Sequence, residues 1–361
     1  MKKVLFISNV PVPYRMEFFR ELAKQISLTV VFEAKSGKFQ YNYDLNSTGF
    51  DIVYLQENSK KNTSWPKLSE ELNKDYDYII VGGIATKMAI LAIIYMQIKQ
   101  IPYFIEVDGA ICKKDSYLKK CLKTFLVRPA SGYFSSSKES DAYLEKYGAL
   151  ENKIFRYAFT SVKRDNIISE FLSEKSIKKV KADLNLDIGL PVVLCVGRFI
   201  YRKGIDVLLN AWKRVNGKYQ LIIIGGIPGK EYEDLVRNLK LERVLFLDFM
   251  TKEELDKFYK IADVFVLPTR EEVWGLVINE AMAFGKPIIT TDNCVAGKEL
   301  VKDGYNGFIV PVNDENKLAE YIEKILSNDQ IREKMRWNSI EVIKRYTIEQ
   351  MVEDHLEVIG K

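Results

Sequence analysis

The side chains best suited to binding a polar ligand are two glutamates in the second half of the sequence, Glu272 and Glu280. They follow a β-branched run at residues 264–268, and Gly275 lies between them where a helical pattern begins. A helix that starts there would present unpaired N–H groups, that of Leu276 among them, and the positive end of its dipole to an anion. Glu280 lies five residues beyond Gly275, which is roughly 7.5 Å along a helix axis.

This separation limits what the two carboxylates can do. They are too far apart to share a proton or a metal ion, but they could accept hydrogen bonds from different hydroxyls of one ligand whose anionic middle lies at the helix N-terminus. A sugar nucleotide has this layout, with hydroxyls on either side of a diphosphate. The alternative is that Glu272 is a solvated loop residue and Glu280 an exposed helix residue.

Two cations follow an earlier strand pattern at residues 192–197. Arg198 comes directly after it, and Lys203 precedes Gly204, which would open the next helix. Ligands of open parallel sheets bind beyond the carboxyl ends of the strands, and both cations could reach that edge and clamp phosphates. Two solvated surface residues are the alternative.

These segments resemble the motifs of family 4 glycosyltransferases, which have the GT-B fold. The resemblance lies in the two glutamates with seven residues between them, in the strings at residues 280–283 and 285–287, and in residues 196–206 with Arg198 and Lys203. A third match is the segment 297–310, which ends in the turn and strand Asn-Gly-Phe. The resemblance is strong over residues 190–312, whereas in the first half of the chain it rests only on the pattern of elements. It implies an α/β protein with two Rossmann-like, doubly wound domains that face one another across a cleft.

The resemblance also implies an activity and a set of site residues. Family members are retaining, metal-independent glycosyltransferases (EC 2.4) that move a hexosyl or related sugar from a nucleoside-diphosphate sugar to a hydroxyl. The acceptor would be a glycan or a lipid-linked glycan in cell-surface polysaccharide assembly, and no cofactor is expected. The residues implied for donor binding are Arg198, Lys203, Glu272, Gly275, Leu276 and Glu280, of which Arg198, Lys203 and Glu272 are also catalytic candidates.

The first half departs from the family pattern at the place where members commonly have a histidine after a strand. Here Asp108 follows the strand pattern, and we expect it to contact the donor sugar or the acceptor, with Glu106 as the second candidate on the acceptor side. Arg15, after the first strand, is a candidate for anion or acceptor contact, or else a plain surface arginine. The single histidine, His355, falls in a terminal helical pattern far from any predicted strand end, so no catalytic or metal role is expected for it.

Residues 113–128 carry six positive charges and one negative charge, and their apolar residues at 117, 118, 121, 122 and 125 have helical spacing. The pattern predicts a basic amphipathic helix that could lie on an anionic membrane surface. A helix that buries its apolar side and solvates its lysines is the alternative. The longest apolar segment, residues 88–98, is shorter than the ~20 residues of a membrane span, and residues 4–7 are too short for a signal peptide. We therefore expect a cytoplasmic protein, which the basic helix could hold at the inner face of the cell membrane.

Other functions have weaker support. A sugar-nucleotide epimerase of the same fold and a non-catalytic nucleotide-sugar-binding module remain alternatives. The glycines at 225, 226 and 229 do not have the spacing of a dinucleotide-binding loop. Residues 75–77 read Asp-Tyr-Asp, but they precede a strand pattern and so fall at the wrong end of a sheet for a metal site.

Elements that could position these residues alternate along the whole chain. Strand patterns occur at residues 3–8, 28–32, 78–81, 103–107, 192–197, 221–225, 244–248, 264–268 and 287–290. Separated by helical patterns, they indicate two parallel β-α-β series. We predict an N-terminal acceptor-side domain (1–165), a linker (166–188), a donor-binding domain (189–345) and a C-terminal helix (346–361) that packs back on the first domain.

Composition agrees with two globular domains. The chain has 361 residues, 47% of them hydrophobic, and a net charge of +5, which excludes disorder and coiled coil as the main state. Residues 1–170 contain 25 Lys and Arg against 19 Asp and Glu. The excess is too small to predict nucleic-acid binding, and most of it comes from residues 113–128.

Overall fold

The computed structural model describes residues 1–35, 49–56 and 64–360. The chain separates into two compact units, one formed by Met1–Lys163 with Tyr346–Lys361 and the other by Arg164–Arg345. The domain bounds derived from the sequence remain a proposal. Lys361, the last residue of the predicted C-terminal segment, lies outside the described residues.

The first unit contains a parallel sheet in the order β3-β2-β1-β4-β5-β6-β7. Its strands are β1 (Lys3–Ser8), β2 (Ser27–Phe32), β3 (Asp51–Tyr54), β4 (Tyr78–Gly82), β5 (Phe104–Val107), β6 (Gly132–Ser135) and β7 (Ile154–Arg156). The central strand β1 is apolar on both faces because helices cover both sides of a parallel sheet. In register, Val4 lies opposite Leu28 on one side and Tyr78 on the other.

Five α-helices connect these strands within the described residues. They are α1 (Pro13–Leu22), α2 (Trp65–Leu72), α3 (Lys87–Lys99), α4 (Tyr117–Val127) and α5 (Lys138–Lys146), and a short 3-10 helix follows at Glu151–Lys153. The buried helix predicted near residues 88–98 is α3. The Thr86 hydroxyl caps it by accepting from the N–H of Ala89, and it contributes Ala92, Ile93 and Met96 to the core.

The second unit contains a parallel sheet in the order β10-β9-β8-β11-β12-β13. Its strands are β8 (Val192–Val196), β9 (Gln220–Ile224), β10 (Val244–Leu247), β11 (Val264–Leu267), β12 (Ile288–Thr291) and β13 (Gly307–Val310). The helices of this unit are α6 (Glu174–Asp183), α7 (Ile205–Trp212), α8 (Lys230–Leu239), α9 (Lys252–Ile261), α10 (Leu276–Ala283), α11 (Val295–Leu300), α12 (Glu315–Leu326) and α13 (Asp329–Ile343), with 3-10 helices at Arg164–Asn166 and Tyr201–Lys203.

The last helix, α14 (Ile348–Ile359), belongs to the first unit and packs against α1. Thr347 caps it by accepting from the N–H of Gln350, and the N–H of Ile348 donates to the carbonyl of Val162. Its buried side includes Met351 and His355. The helix therefore brings residues from the end of the chain to the sheet of the first unit.

All nine strands predicted from the sequence occur within one residue of their predicted bounds. Of the other four strands, β13 follows the Asn-Gly-Phe turn of the resembled segment, whereas β3, β6 and β7 were not predicted. β3 and β7 are short edge strands with half-exposed side chains. β3 has two β-branched residues and β7 has one, while β6 reads Gly-Tyr-Phe-Ser and has none, so the β-branched signal that predicts a strand is short or missing in all three.

Candidate functional site

A cavity of about 230 Å³ lies at the carboxyl edge of the second sheet, just beyond β8 and β9. It is lined by Val196, Gly197, Arg198, Arg202, Lys203, Ile224, Gly225, Phe249, Met250, Leu255 and Val277. Two glycines allow the chain segments here to approach closely, since a Cβ on Gly225 would lie 1.9 Å from the carbonyl oxygen of Gly197. The position agrees with the ligand site of open parallel sheets.

The two predicted cations, Arg198 and Lys203, both line this cavity, but only Lys203 has an ion-pair partner among the described residues. Arg198 is exposed, and no ion pair or hydrogen bond of its guanidinium is found within the described part of the chain. Lys203 lays its alkyl stem along Gly197, and its ammonium group pairs with the carboxylate of Glu272. Arg198 is thus available to an anion, whereas a ligand must compete with Glu272 for Lys203.

Main-chain contacts hold Glu272 in place beside the next strand. Its N–H donates to Asn293 (3.0 Å), and its carbonyl accepts from Val295 (3.1 Å). Its carboxylate also lies 3.7 Å from a guanidinium nitrogen of Arg202, and only 11% of its side chain is exposed. Sequence reasoning missed Arg202, although it directly precedes Lys203 in the same 3-10 turn.

The predicted helix start is confirmed, because α10 begins at Leu276 with Gly275 as its N-cap residue. Gly275 has φ +109°, a conformation that other residues rarely adopt. A Cβ there would also lie 3.2 Å from Cγ of Glu272 and 3.3 Å from Sγ of Cys294, which is closer than ordinary van der Waals contact. Glu280, in the second turn of α10, accepts a hydrogen bond from the Tyr259 hydroxyl (3.1 Å). Glu272 and Glu280 therefore have different partners.

In the first unit, three of the predicted residues form one buried charge cluster. The Arg15 guanidinium donates to both carboxylate oxygens of Glu106 (3.0 and 2.5 Å) and to Asp108 (2.5 Å). Asp108 also accepts from the hydroxyls of Tyr157 (2.8 Å) and Tyr14 (3.4 Å). Arg15 is 4% exposed and so is not a plain surface arginine.

The two carboxylates of this cluster differ in exposure and in pKa. Burial would raise the pKa of Glu106, but the charges of Arg15 and His355 outweigh this effect and lower the pKa to about 2. Burial raises the pKa of Asp108, and the nearby Glu106 carboxylate adds to the increase although Arg15 opposes it. The Glu106 side chain has no exposed surface, whereas 34% of that of Asp108 is exposed. Asp108 is the member of this pair that a substrate can reach.

His355 joins the same cluster, which the sequence did not predict. Its Nε2 lies 3.2 Å from a carboxylate oxygen of Glu106 in β5. The expectation that His355 is far from any strand was therefore wrong, because α14 folds back onto the first unit. Helical spacing placed the histidine on a helix, but no local signal indicates which strand that helix covers.

The Asp-Tyr-Asp segment lies before β4, at the amino edge of the first sheet. The Asp77 carboxylate accepts a hydrogen bond from the backbone N–H of Lys3 (2.8 Å) and so stabilises the turn before β4. Within the ranges 1–35, 49–56 and 64–360, no three or more His, Cys, Asp or Glu side chains are arranged to hold a metal ion.

Residues 117–127 form the predicted amphipathic helix, α4, but its apolar side is not buried. The large apolar side chains that face solvent are Tyr117 (80% exposed), Leu118 (80%), Phe125 (53%) and Leu122 (44%). Only Leu126 and Val127 of this helix are buried. A helix that covers the core with its apolar side and solvates its lysines is therefore excluded. Across the described ranges, no helix is both long and apolar enough to span a bilayer.

Comparisons with known proteins place the strongest similarity in the second unit. The family model "Glycosyl transferases group 1" matches residues 176–342. An uncharacterised glycosyltransferase of Methanocaldococcus jannaschii is 28% identical over 225 residues, 59% of this chain and 64% of that protein. A lipopolysaccharide core biosynthesis glycosyltransferase of Rhizobium meliloti is 28% identical over 197 residues, 54% of this chain and 57% of that protein. The chain thus spans less than two thirds of the length of these curated relatives.

Solved structures match the whole chain in fold. The crystal structure of Anabaena HepE in complex with UDP has a TM-score of 0.82 and 20% identity, and the match covers 100% of both chains. At this identity the likeness concerns the fold alone. The α/β fold of two Rossmann-like units is therefore confirmed.

Proposed function

Through residues 176–342 this chain belongs to the Glycosyl transferases group 1 family, and we propose that it transfers a sugar from a nucleoside-diphosphate sugar to a hydroxyl. The configuration at the anomeric carbon is retained, as is characteristic of the family. The observation that carries the proposal is the cavity at the carboxyl edge of β8 and β9, where the unpaired Arg198 lies beside the Lys203–Glu272 pair.

The charges of this cavity suit the departure of a diphosphate. As the bond from the anomeric carbon to the phosphate oxygen breaks, negative charge develops on the diphosphate, and fixed positive groups lower the energy of that state. Arg198 and Lys203 supply two cations, and the first turn of α10 at Gly275 and Leu276 adds N–H groups. The acceptor oxygen forms the new bond to the anomeric carbon, and its proton passes to the leaving phosphate oxygen, so that no separate base is required.

Donor binding tests this assignment directly. UDP, GDP, ADP and NAD are added to the protein, and the melting temperature is followed. We expect a nucleoside diphosphate to raise the melting temperature, and Arg198→Ala to weaken its binding about tenfold, the loss of roughly 1.4 kcal/mol from one charge-assisted contact. Lys213→Ala, which removes an exposed lysine that is not in the cavity, is the matched control.

The outcomes of this experiment separate the candidate functions. Stabilisation by NAD alone would contradict a nucleotide-sugar site, and so would equal binding by the wild type and Arg198→Ala. Release of nucleotide from a sugar donor only when an acceptor is present distinguishes transfer from a binding module. A panel of donors in the same release assay identifies the base and the sugar.

We also propose that Asp108 is the catalytic carboxylate of the first unit and contacts the sugar or the acceptor. It is the partly exposed carboxylate of the Arg15 cluster, and three donors hold it in one orientation. Asp108→Ala should lower turnover by roughly tenfold or more, because the sugar or the acceptor loses a contact that orients it. Wild-type turnover in this variant would contradict the role.

For the acceptor, we propose a lipid-linked glycan at an anionic membrane surface, with α4 as the contact helix. The support is that exposed apolar side chains and lysines lie on the same short helix, which is the composition of interfacial helices. Each lysine near an anionic surface contributes about 1 kcal/mol. Reversing two should therefore lower the partition coefficient at least about thirtyfold.

Flotation with liposomes that contain anionic lipid tests the membrane contact. The double variant Lys119→Glu/Lys120→Glu should lose binding. The variant Lys24→Glu/Lys138→Glu, which makes the same charge change elsewhere in the first unit, should lose much less. Equal binding by both variants, or no binding by the wild type, would overturn the membrane proposal without affecting donor binding.

A further inference from the structure

His355 is completely buried in α14, and aromatic rings pack around its imidazole. Phe134 stacks on the ring at 4.3 Å between centroids with an interplanar angle of 16°, and the rings of Phe18 and Tyr157 lie at 4.9 Å. Each ring nitrogen lies close to an oxygen atom, although the direction of Nε2 does not meet the geometry of a hydrogen bond. Nδ1 is 2.7 Å from the carbonyl oxygen of Met351, and Nε2 is 3.2 Å from Oε1 of Glu106.

These two neighbours constrain the protons of the imidazole. A carbonyl oxygen can only accept, so Nδ1 must carry a hydrogen and donate it. A neutral imidazole would then leave the lone pair of Nε2 3.2 Å from a carboxylate oxygen, which also carries lone pairs. A second proton on Nε2 removes this repulsion and makes the contact an ion pair.

The charges of the cluster balance when that second proton is present. Arg15 and the imidazolium of His355 are then positive, and Glu106 and Asp108 are negative. Buried charges are tolerated when each has an opposite partner and hydrogen bonds. Without the second proton the four residues would carry a net negative charge. The low pKa of Glu106, to which His355 contributes, agrees with an ionised carboxylate in this place.

We propose that His355 is a positioning residue for the transfer reaction: it holds a proton against Glu106, which fixes Arg15, and Arg15 aims Asp108 at the substrate. The inference rests on the proposed function, because the role of Asp108 belongs to it. Arg15 grips both oxygens of Glu106 and reaches one oxygen of Asp108. A change at His355 therefore reaches the exposed carboxylate in two steps, although His355 itself has no exposed surface.

The pH dependence of this arrangement belongs to the whole cluster. The titratable and charged groups around His355 and its two carboxylate partners are Glu106 and Asp108 from β5, Arg15 and Tyr14 from α1, and Tyr157 after β7. A variant that lacks the His355 imidazolium loses a positive charge that favours the ionised forms of Glu106 and Asp108. The acidic limb of the activity profile should therefore move to higher pH.

The protonation state can be measured without any substrate. His355 is the single histidine of the chain, so protein labelled with ¹⁵N-histidine gives the NMR signals of this one imidazole. We expect hydrogens on both ring nitrogens at pH 7.5, and on one nitrogen in Glu106→Gln. Circular dichroism establishes that the variant is folded. A wild-type imidazole with one hydrogen would overturn the proposal.

Kinetics test the positioning role. His355→Phe keeps an aromatic ring in the same packing but removes both nitrogens, and it should lower kcat roughly tenfold while the KM for the donor is unchanged. His355→Gln retains a donor for Glu106 and should recover part of that loss. Ile348→Ala removes a buried side chain of the same helix and serves as a control that lowers stability alone.

Each outcome decides between positioning and packing. If kcat and its pH profile in His355→Phe match those of the wild type, or if Ile348→Ala loses as much kcat, the positioning role is wrong. The same holds if both His355 variants lose kcat equally with no change of the pH profile. Should the wild type transfer no sugar from any donor, the proposed function fails instead, and the NMR spectrum still decides the protonation.

Discussion

Lys286 should make the second unit more stable as the pH rises from 7 to 9. Its side chain is 2% exposed, and its Nζ donates to the carbonyls of Lys260 (3.2 Å) and Ala262 (2.8 Å) at the C-terminal end of α9. Burial, helped by the charge of the nearby Arg336 guanidinium, lowers the pKa of this amine from 10.5 to about 7, although the carboxylates of Asp263 and Glu333 oppose the decrease.

The sign follows from where the proton is bound. Between pH 7 and 10.5 the unfolded chain holds a proton on this amine that the folded chain has released, so the free energy of unfolding rises with pH. The difference from 10.5 to about 7 is about 3.5 pKa units, or about 5 kcal/mol over the full range at 1.36 kcal/mol per unit. The part gained between pH 7 and pH 9 is about 2 kcal/mol.

Urea unfolding of the wild type and Lys286→Met at several pH values measures this contribution. The apolar side chain cannot titrate, so the difference in unfolding free energy between the two proteins isolates Lys286 from other titrating groups. Three of the four tryptophans, Trp212, Trp274 and Trp337, lie in the second unit, and Trp65 lies in the first, so tryptophan fluorescence reports mainly the unfolding of the second unit. Lys213→Met, at an exposed lysine, should show no slope. A difference for Lys286→Met that is constant between pH 7 and pH 9 would refute the reasoning.

Two further substitutions test how the second unit holds its site. Gly204→Ala should lower the unfolding free energy by more than the roughly 1–3 kcal/mol of a strained φ, because φ is +65° and the new Cβ would lie 2.1 Å from the carbonyl oxygen of Pro268. The control Gly304→Ala, with φ +73° and no atom within 4 Å of the new Cβ, should show the cost of the strained φ alone. Equal losses of unfolding free energy in the two variants would contradict the steric argument. Thr251→Ala removes the capping box with Glu254 and should cost about 1 kcal/mol in urea unfolding; an unchanged midpoint would show that the cap contributes nothing.

Much of the second unit could be predicted because its signals are local. A strand such as residues 264–267 is a β-branched apolar run, and Gly275 directly before an apolar helical pattern predicts the helix that begins at Leu276. The charged residues near Arg198 and Glu272 follow strand ends, and strand ends of a parallel sheet share one edge. Their approximate position therefore follows from the order of elements.

The exposure of α4 shows where local patterns fail. The spacing of Tyr117, Leu118 and Phe125 predicts an amphipathic helix equally well whether its apolar side covers the core or faces solvent. The fold buries only the C-terminal end of the helix, at Leu126 and Val127. Which side of a helix meets the sheet depends on the neighbouring elements, and the sequence of the helix does not contain that information.

The alternating elements, the cation and glutamate motifs of the second unit and the basic amphipathic stretch follow from the sequence, because each depends on residues a few positions apart. The ion pair between Lys203 and Glu272, which are 69 residues apart, follows from the folded structure alone. The same is true of the cluster in which Arg15 meets Glu106 across 91 residues and His355 joins them from the last helix. Such contacts depend on which strands and helices become neighbours, and that choice is made by the packing of the whole unit.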